Sequence, residues 1–193
     1  HGGARRVLIV GGGDGGVLRE VLRHPIERVT LVDIDGEVVA RCREFMPRLS
    51  DGAFDDPRCE LLIADGVRFV AESPLLYDVV IVDSPDPIGP AEALFSEAFY
   101  ADCKRRLTPG GIIVTQNGSP FLNPDEVIET QQRLRPHFAD VTAYLVCVPS
   151  YVCAPLTLAW GCDDASRRRV PLEELARRFA AAGPVTRYYA PDV

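Results

Sequence analysis

Short runs of β-branched and aliphatic residues recur along the chain, separated by longer stretches in which apolar positions return every three or four residues. The runs are RVLIV at 6–10, VTLVDI at 29–34, CELLI at 59–63, YDVVIVD at 77–83 and GIIVTQN at 111–117. Continuous apolar runs of this length predict strands of a parallel sheet covered on both faces. The stretches at 16–24, 37–49 and 92–107 predict helices, the last closed by Thr-Pro-Gly-Gly at 108–111. Repeated strand-helix-strand units predict a doubly wound α/β sheet. After residue 138 the alternation stops. DVTAYLVCVPSY and PLTLAWGC follow each other across a short connection, which predicts an antiparallel C-terminal hairpin and a mostly parallel sheet of seven strands. A last helix is expected at 171–183, ending at Gly183. No linker, repeat or low-complexity segment divides residues 1–193, so one domain is expected.

Composition adds constraints. With 47% hydrophobic and 25% charged residues the chain is of ordinary globular make-up. The formal net charge of −7 disfavours a nucleic-acid partner and suits a cationic small molecule. No apolar run approaches the ~18 residues of a membrane span, and the N-terminus lacks a signal peptide's pattern. A cytosolic location away from membranes is expected. The six cysteines form no C-x-x-C pair and lie apart from the three histidines, so neither a metal site nor a disulfide framework is expected.

The candidate chemistry collects at the ends of the predicted strands. Strand 1 runs into Gly11-Gly12-Gly13-Asp14-Gly15-Gly16, a G-x-G-x-x-G fingerprint between a strand and a helix. Glycines here let a ligand approach the backbone, and the helix that follows aims free N–H groups at the loop. Asp33 ends strand 2, where a carboxylate accepts both hydroxyl hydrogens of a ribose, so a nucleoside is the expected ligand. Asp14 inside the loop opposes pyrophosphate and an NAD-dependent oxidoreductase, because a carboxylate repels phosphate. It favours a donor ending in an ammonium, although it is also placed to cap the following helix. Asp65-Gly66 after strand 3 reads as a turn whose aspartate is positioned for an exocyclic amine. Strand 4 ends in Asp83-Ser84-Pro85-Asp86, a proline-stiffened loop with two carboxylates three residues apart, and catalysis is expected there.

Taken together, GGGDGG-VLREVL, the LVDID strand end, the ADG turn, DSPDPIGPAEALF and PSY at 149–151 resemble the polyamine aminopropyltransferases, the spermidine synthase family. The resemblance runs through nearly the whole chain. It implies transfer of the propylamine group of decarboxylated S-adenosylmethionine to putrescine, with no cofactor beyond that co-substrate. In that pattern Asp83 is the general base; Gly11, Gly13, Asp14, Asp33, Ile34, Asp65 and Gly66 hold the donor; and Pro90 and Leu94 cover the nucleoside. Asp14, Asp83, Ser84, Asp86 and Tyr151 line the acceptor channel. A homodimer or homotetramer is also implied. The family's N-terminal β-hairpin layer has no counterpart in residues 1–193, from which weak or absent turnover by this chain alone is expected. Val152-Cys153-Ala154-Pro155 and Asn117-Gly118-Ser119-Pro120 depart from the family's pattern, leaving cadaverine, spermidine or another diamine open as acceptor. Two other readings stay open as well: a small-molecule methyltransferase using ordinary S-adenosylmethionine, and a nucleoside- or polyamine-binding core without catalysis.

Overall fold

A computed structural model describes residues 2–148, 155–183, 186 and 189–192. Seven strands form one sheet in the order β3-β2-β1-β4-β5-β7-β6. They are β1 Arg6–Gly11, β2 Arg28–Asp33, β3 Cys59–Ile63, β4 Tyr77–Asp83, β5 Leu107–Gln116, β6 Asp140–Cys147 and β7 Pro155–Cys162. The first five run parallel, and β7 pairs antiparallel with both β5 and β6. The predicted doubly wound sheet with an antiparallel C-terminal hairpin is what the chain forms.

Seven α-helices accompany the strands among the described residues: α1 Gly16–Leu22, α2 Gly36–Phe45, α3 Pro47–Ser50, α4 Gly66–Glu72, α5 Glu97–Arg105, α6 Pro124–Leu134 and α7 Leu172–Ala182. Two expected helices are broken. The stretch at 37–49 divides at Met46, because Pro47 cannot donate the N–H that would continue α2 and instead opens α3. The stretch at 92–107 begins as a 3-10 helix, Gly89–Phe95, and restarts at Ser96, whose hydroxyl accepts from the Phe99 N–H at 3.2 Å. Thr-Pro-Gly-Gly is not a simple helix stop either. It lies within β5, where the pairing jumps from Tyr77 with Leu107 to Val79 with Ile112, so the extra residues are accommodated as an irregularity in the strand. Gly183 caps α7 in the left-handed region, as expected.

Alternating strand residues feed a core on each face of the sheet. Leu8, Val10, Val80, Val82 and Ile113 pack with Phe99 and Tyr100 of α5 and Leu134 of α6. Val7, Ile9, Val29 and Leu31 pack on the other face with Leu18, Val39 and Phe54. Cys42, Cys103 and Cys162 are buried as free thiols. Among the described residues no helix is long and apolar enough to cross a membrane. After β3 the chain returns across the sheet to lay β4 beside β1, so the strand order reverses between β1 and β4. A crevice opens at such a switch point, beyond the carboxyl ends of the strands.

Candidate active site

The two strands at the switch point meet closely. Gly11 pairs with Asp83 in register, and the Gly12 N–H donates to the Asp83 carbonyl at 2.9 Å. Gly11 has φ +83°, and a Cβ there would overlap that same carbonyl oxygen, so only glycine lets the loop after β1 fold against the end of β4. The contact sets the floor of a cavity of about 400 Å³, within the range of small-ligand sites. A smaller hollow of about 240 Å³, lined by Val7, Val21, Pro25, Ile26 and other residues, holds no carboxylate.

The larger cavity brings together Gly11, Asp33, Ile34, Asp65, Gly66, Asp83, Ser84, Pro90 and Leu94. Nine of the residues singled out from the sequence are therefore neighbours. Asp35, Val38 and Ile88 line it too and were not singled out. Ile34 and Ile88 are 66% and 77% exposed, so the cavity carries uncovered apolar surface of the kind a flat base can cover. Gly13 and Asp14 do not line it, although Gly13 N–H donates to Asp33, which does, and Asp86 lies on the exposed loop outside it. Tyr151, with the rest of 149–154, lies outside the described residues.

Backbone N–H groups orient most of these carboxylates. Asp33 accepts from Gly13 N–H at Oδ2 and from Asp35 N–H at Oδ1, both at 2.8 Å. Each oxygen keeps a second lone pair, so the carboxylate is held in place while still able to accept from a diol. Asp14 Oδ1 takes the Gly16 N–H at 2.8 Å, a local turn; it does not cap α1 as expected, because Gly15 in the left-handed region is the N-cap and no side chain caps the helix. Asp65 caps α4, its Oδ1 accepting from Val67 N–H at 2.8 Å and Arg68 N–H at 3.3 Å. Asp14 and Asp65 each use one oxygen in this way, leaving the other available to a ligand.

Asp83 is different. Burial, then the negative charges of Asp14 and Asp33, push its carboxyl from the ordinary 3.8 up to about 6. Burial first and the same two carboxylates second also raise the Cys42 thiol on α2. The crevice is thus a concentrated negative field with an acid at its floor that holds its proton unusually tightly. Such a field attracts cations and makes Asp83 a stronger base than an exposed aspartate.

A second acidic group lies towards β5. Glu126, in the first turn of α6, is half-buried, and burial followed by the charge of Asp86 raises its carboxyl. Ser84 Oγ, just after β4, and both amide atoms of Asn117, just after β5 and 0% exposed, are among the buried polar atoms with no hydrogen-bond partner among the described residues. Sequence reasoning missed Glu126 because an acid just after Asn123-Pro124 looks like an ordinary complement to a helix N-terminus. Asn117 stood out only as a departure from a family pattern.

Residues 1–169 match the spermine/spermidine synthase domain. Polyamine aminopropyltransferase 1 of Pseudomonas aeruginosa is 55% identical over the whole chain, which covers 68% of that relative. The polyamine aminopropyltransferase of Pseudomonas syringae pv. tomato is 54% identical with the same coverage. A crystal structure of a spermidine synthase in complex with the transition-state analogue AdoDATO matches with a TM-score of 0.91 at 32% identity, covering 100% of this chain and 65% of that one. The Thermotoga maritima spermidine synthase gives 0.87 at 31% identity, covering 100% of this chain and 64% of its own. The chain thus spans about two thirds of the length of these relatives. Fold, cavity and sequence similarity over the full length agree: the chain belongs to the spermine/spermidine synthase family.

Proposed function

We propose that this chain is the catalytic core of a polyamine aminopropyltransferase that moves the propylamine group of decarboxylated S-adenosylmethionine to putrescine, with Asp83 as general base. The observation that carries the reading is Asp83 itself, a half-buried carboxyl raised to about 6 that lines the nucleoside-sized cavity at the end of β4. An alkylammonium titrates near 10, so its proton must be removed before the nitrogen lone pair can attack. A base of raised pKa narrows that mismatch. The deprotonated amine then attacks the propyl carbon bonded to the sulfonium. The C–N bond forms as the C–S bond breaks, the sulfur keeps the bonding pair, and neutral methylthioadenosine leaves. The nitrogen's proton passes to Asp83 and from there to water.

Asp33 is assigned to the ribose hydroxyls, Asp65 with Gly66 to the adenine, Asp14 to the donor's amino end, and Ile34, Pro90 and Leu94 to the faces of the base. Asp86, Ser84 and Tyr151 are assigned to the acceptor. A cationic donor weakens the effect of Asp14 and Asp33 on Asp83 and so returns it to the ionised form that a base requires. Aligning two cations for displacement contributes more than the proton transfer, about 7–11 kcal/mol against about 10²- to 10⁴-fold. A homodimer or homotetramer is part of the proposal, and light scattering reads it directly.

The test is incubation with decarboxylated S-adenosylmethionine and putrescine, with spermidine and methylthioadenosine followed by mass spectrometry. Asp83→Asn is expected to lower kcat by about 10²- to 10⁴-fold while methylthioadenosine binding persists. Equal turnover by parent and variant would sink the role of Asp83, and methyl transfer from ordinary S-adenosylmethionine would replace the reaction.

A further inference from the structure

The loop after β1 meets a different carboxylate at each of two consecutive residues. Gly12 N–H donates to the Asp83 carbonyl at 2.9 Å, and a Cβ placed on Gly12 would lie 3.0 Å from Asp83 Oδ2, 3.4 Å from Ile9 Cγ2 and 3.6 Å from Asp83 Cβ. Gly13 N–H donates to Asp33 Oδ2 at 2.8 Å, and a Cβ there would lie 2.6 Å from that same oxygen. A single peptide unit therefore joins a residue packed on Asp83 to a residue packed on Asp33.

The loop has little room to retreat. The Gly12 carbonyl accepts from Gly15 N–H at 2.9 Å, and a Cβ on Gly15 would lie 2.6 Å from Ser50 Cβ and 2.8 Å from the Phe54 ring, so α3 and Phe54 back the loop from behind. Ile9 is 0% exposed in the core. Of the groups that a methyl on Gly12 would meet, the Asp83 carboxylate is the one free to turn. Asp33 is oriented by two backbone N–H groups, whereas burial and the charges of Asp14 and Asp33 act on the Asp83 carboxyl and no hydrogen bond reaches it among the described residues. Packing must then fix its direction, and Gly12 is the contact on the Oδ2 side.

We propose that Gly12 is a positioning residue for the general base: its Cα bounds the Oδ2 side of the Asp83 carboxylate and leaves Oδ1 to meet the attacking amine, while Gly13 bounds Asp33, so the loop sets the spacing between proton acceptor and nucleoside. This rests on the aminopropyltransferase reading. A methyl at position 12 turns Asp83 out of line, and a methyl at position 13 displaces Asp33, so the smallest side chain has separate effects at neighbouring positions.

Gly12→Ala and Gly13→Ala test the assignment, with Gly52→Ala as the control for backbone strain, because Gly52 has φ +77° against +68° at Gly12 and nothing within 4 Å of an added Cβ. Gly12→Ala is expected to lower kcat by about 10- to 100-fold with methylthioadenosine affinity unchanged, and to move the acid limb of kcat/KM to lower pH as Asp83 turns towards solvent. Gly13→Ala is expected to weaken methylthioadenosine binding by about 10- to 100-fold, and Gly52→Ala should alter neither. Equal kcat in the parent and Gly12→Ala overturns the assignment, as do parallel losses of kcat and methylthioadenosine affinity in both variants. A double-mutant cycle in urea reads the contact without turnover: Gly12→Ala should raise the unfolding constant by about 10-fold more in the parent than in an Asp83→Ala background. An equal effect in both backgrounds overturns the contact, and so does a Gly12→Ala protein that folds in neither; folding in the Asp83→Ala background alone supports it. If the cycle shows coupling but the parent forms no spermidine, the placement of Asp83 by Gly12 stands and the catalytic reading fails.

Discussion

At the ends of β1, β2 and β3, Asp14, Asp33 and Asp65 are all held by backbone N–H groups, whereas at the ends of β4 and β5 Ser84 and Asn117 are buried without partners among the described residues, and burial and then the charge of Asp86 raise the Glu126 carboxyl. In the proposed reading the first group is the donor half, whose carboxylates are already oriented, so less ordering entropy opposes binding. In the proposed reading the second group is the acceptor half, where a dication would offset the negative charge of Asp86 and Glu126.

The comparison can be broken in three further ways, and the largest effect is on stability. Folded Asp83 titrates at about 6 against an ordinary 3.8, so above pH 6 its ionised form carries the full penalty in the native state. As pH falls from 6 towards 3.8 the native state takes up the proton first and the penalty shrinks, vanishing below 3.8 where both states are neutral. Asp83→Asn is therefore expected to be more stable than the parent by about 3 kcal/mol at pH 7.5 and by nothing near pH 3.5. Urea titrations at both pH values measure the difference. A loss of stability at pH 7.5 would mean that Asp83 is tied down like the donor-side carboxylates. The same carboxyl sets the pH profile: kcat/KM rises through about 6, while the acid limb of kcat, which reports the donor-loaded protein, falls at lower pH.

Next in size, Asp33→Asn replaces one acceptor oxygen with an amide that cannot satisfy both Gly13 N–H and Asp35 N–H. Methylthioadenosine affinity is expected to fall by about 10- to 100-fold, with diamine binding to the loaded protein unaffected. A loss spread equally over both ligands would erase the division into halves. The smallest effect is at Ser84. Its hydroxyl has no hydrogen-bond partner among the described residues, so Ser84→Ala should change stability little, within about 1 kcal/mol, while raising KM for the diamine. An unchanged KM would return Ser84 to packing alone.

Much of the donor half was legible because its contacts are local. Asp14 reaches two residues ahead to Gly16, and Asp65 two and three ahead to Val67 and Arg68, so residue type and spacing carry the geometry. The strands were equally plain, their apolar runs reflecting burial on both faces. The acceptor half was not legible, because Ser84, Asn117 and Glu126 come from three separate elements whose approach depends on how α6 packs. Gly118 shows the point: as a letter it reads as a lost side chain, whereas in the fold its missing Cβ makes room for Glu126. The break at Met46 was readable from Pro47, yet the apolar periodicity of 37–49 concealed it. The strand start at Leu107 followed from pairing with Tyr77, which no local signal announces.

The strand order also has a consequence for how the chain comes off the ribosome. Among the described residues β7 is the last strand in chain order, yet it sits inside the sheet between β5 and β6. β6 emerges first and pairs with no strand but β7, so it must wait as an unpaired segment until residues 155–162 arrive. β1 to β5 need nothing from later residues to complete their parallel pairing. The nucleoside crevice is thus able to assemble during synthesis, while the acceptor flank closes only when β7 slots in, and translation speed between residues 140 and 162 governs how long a sticky strand edge stays exposed.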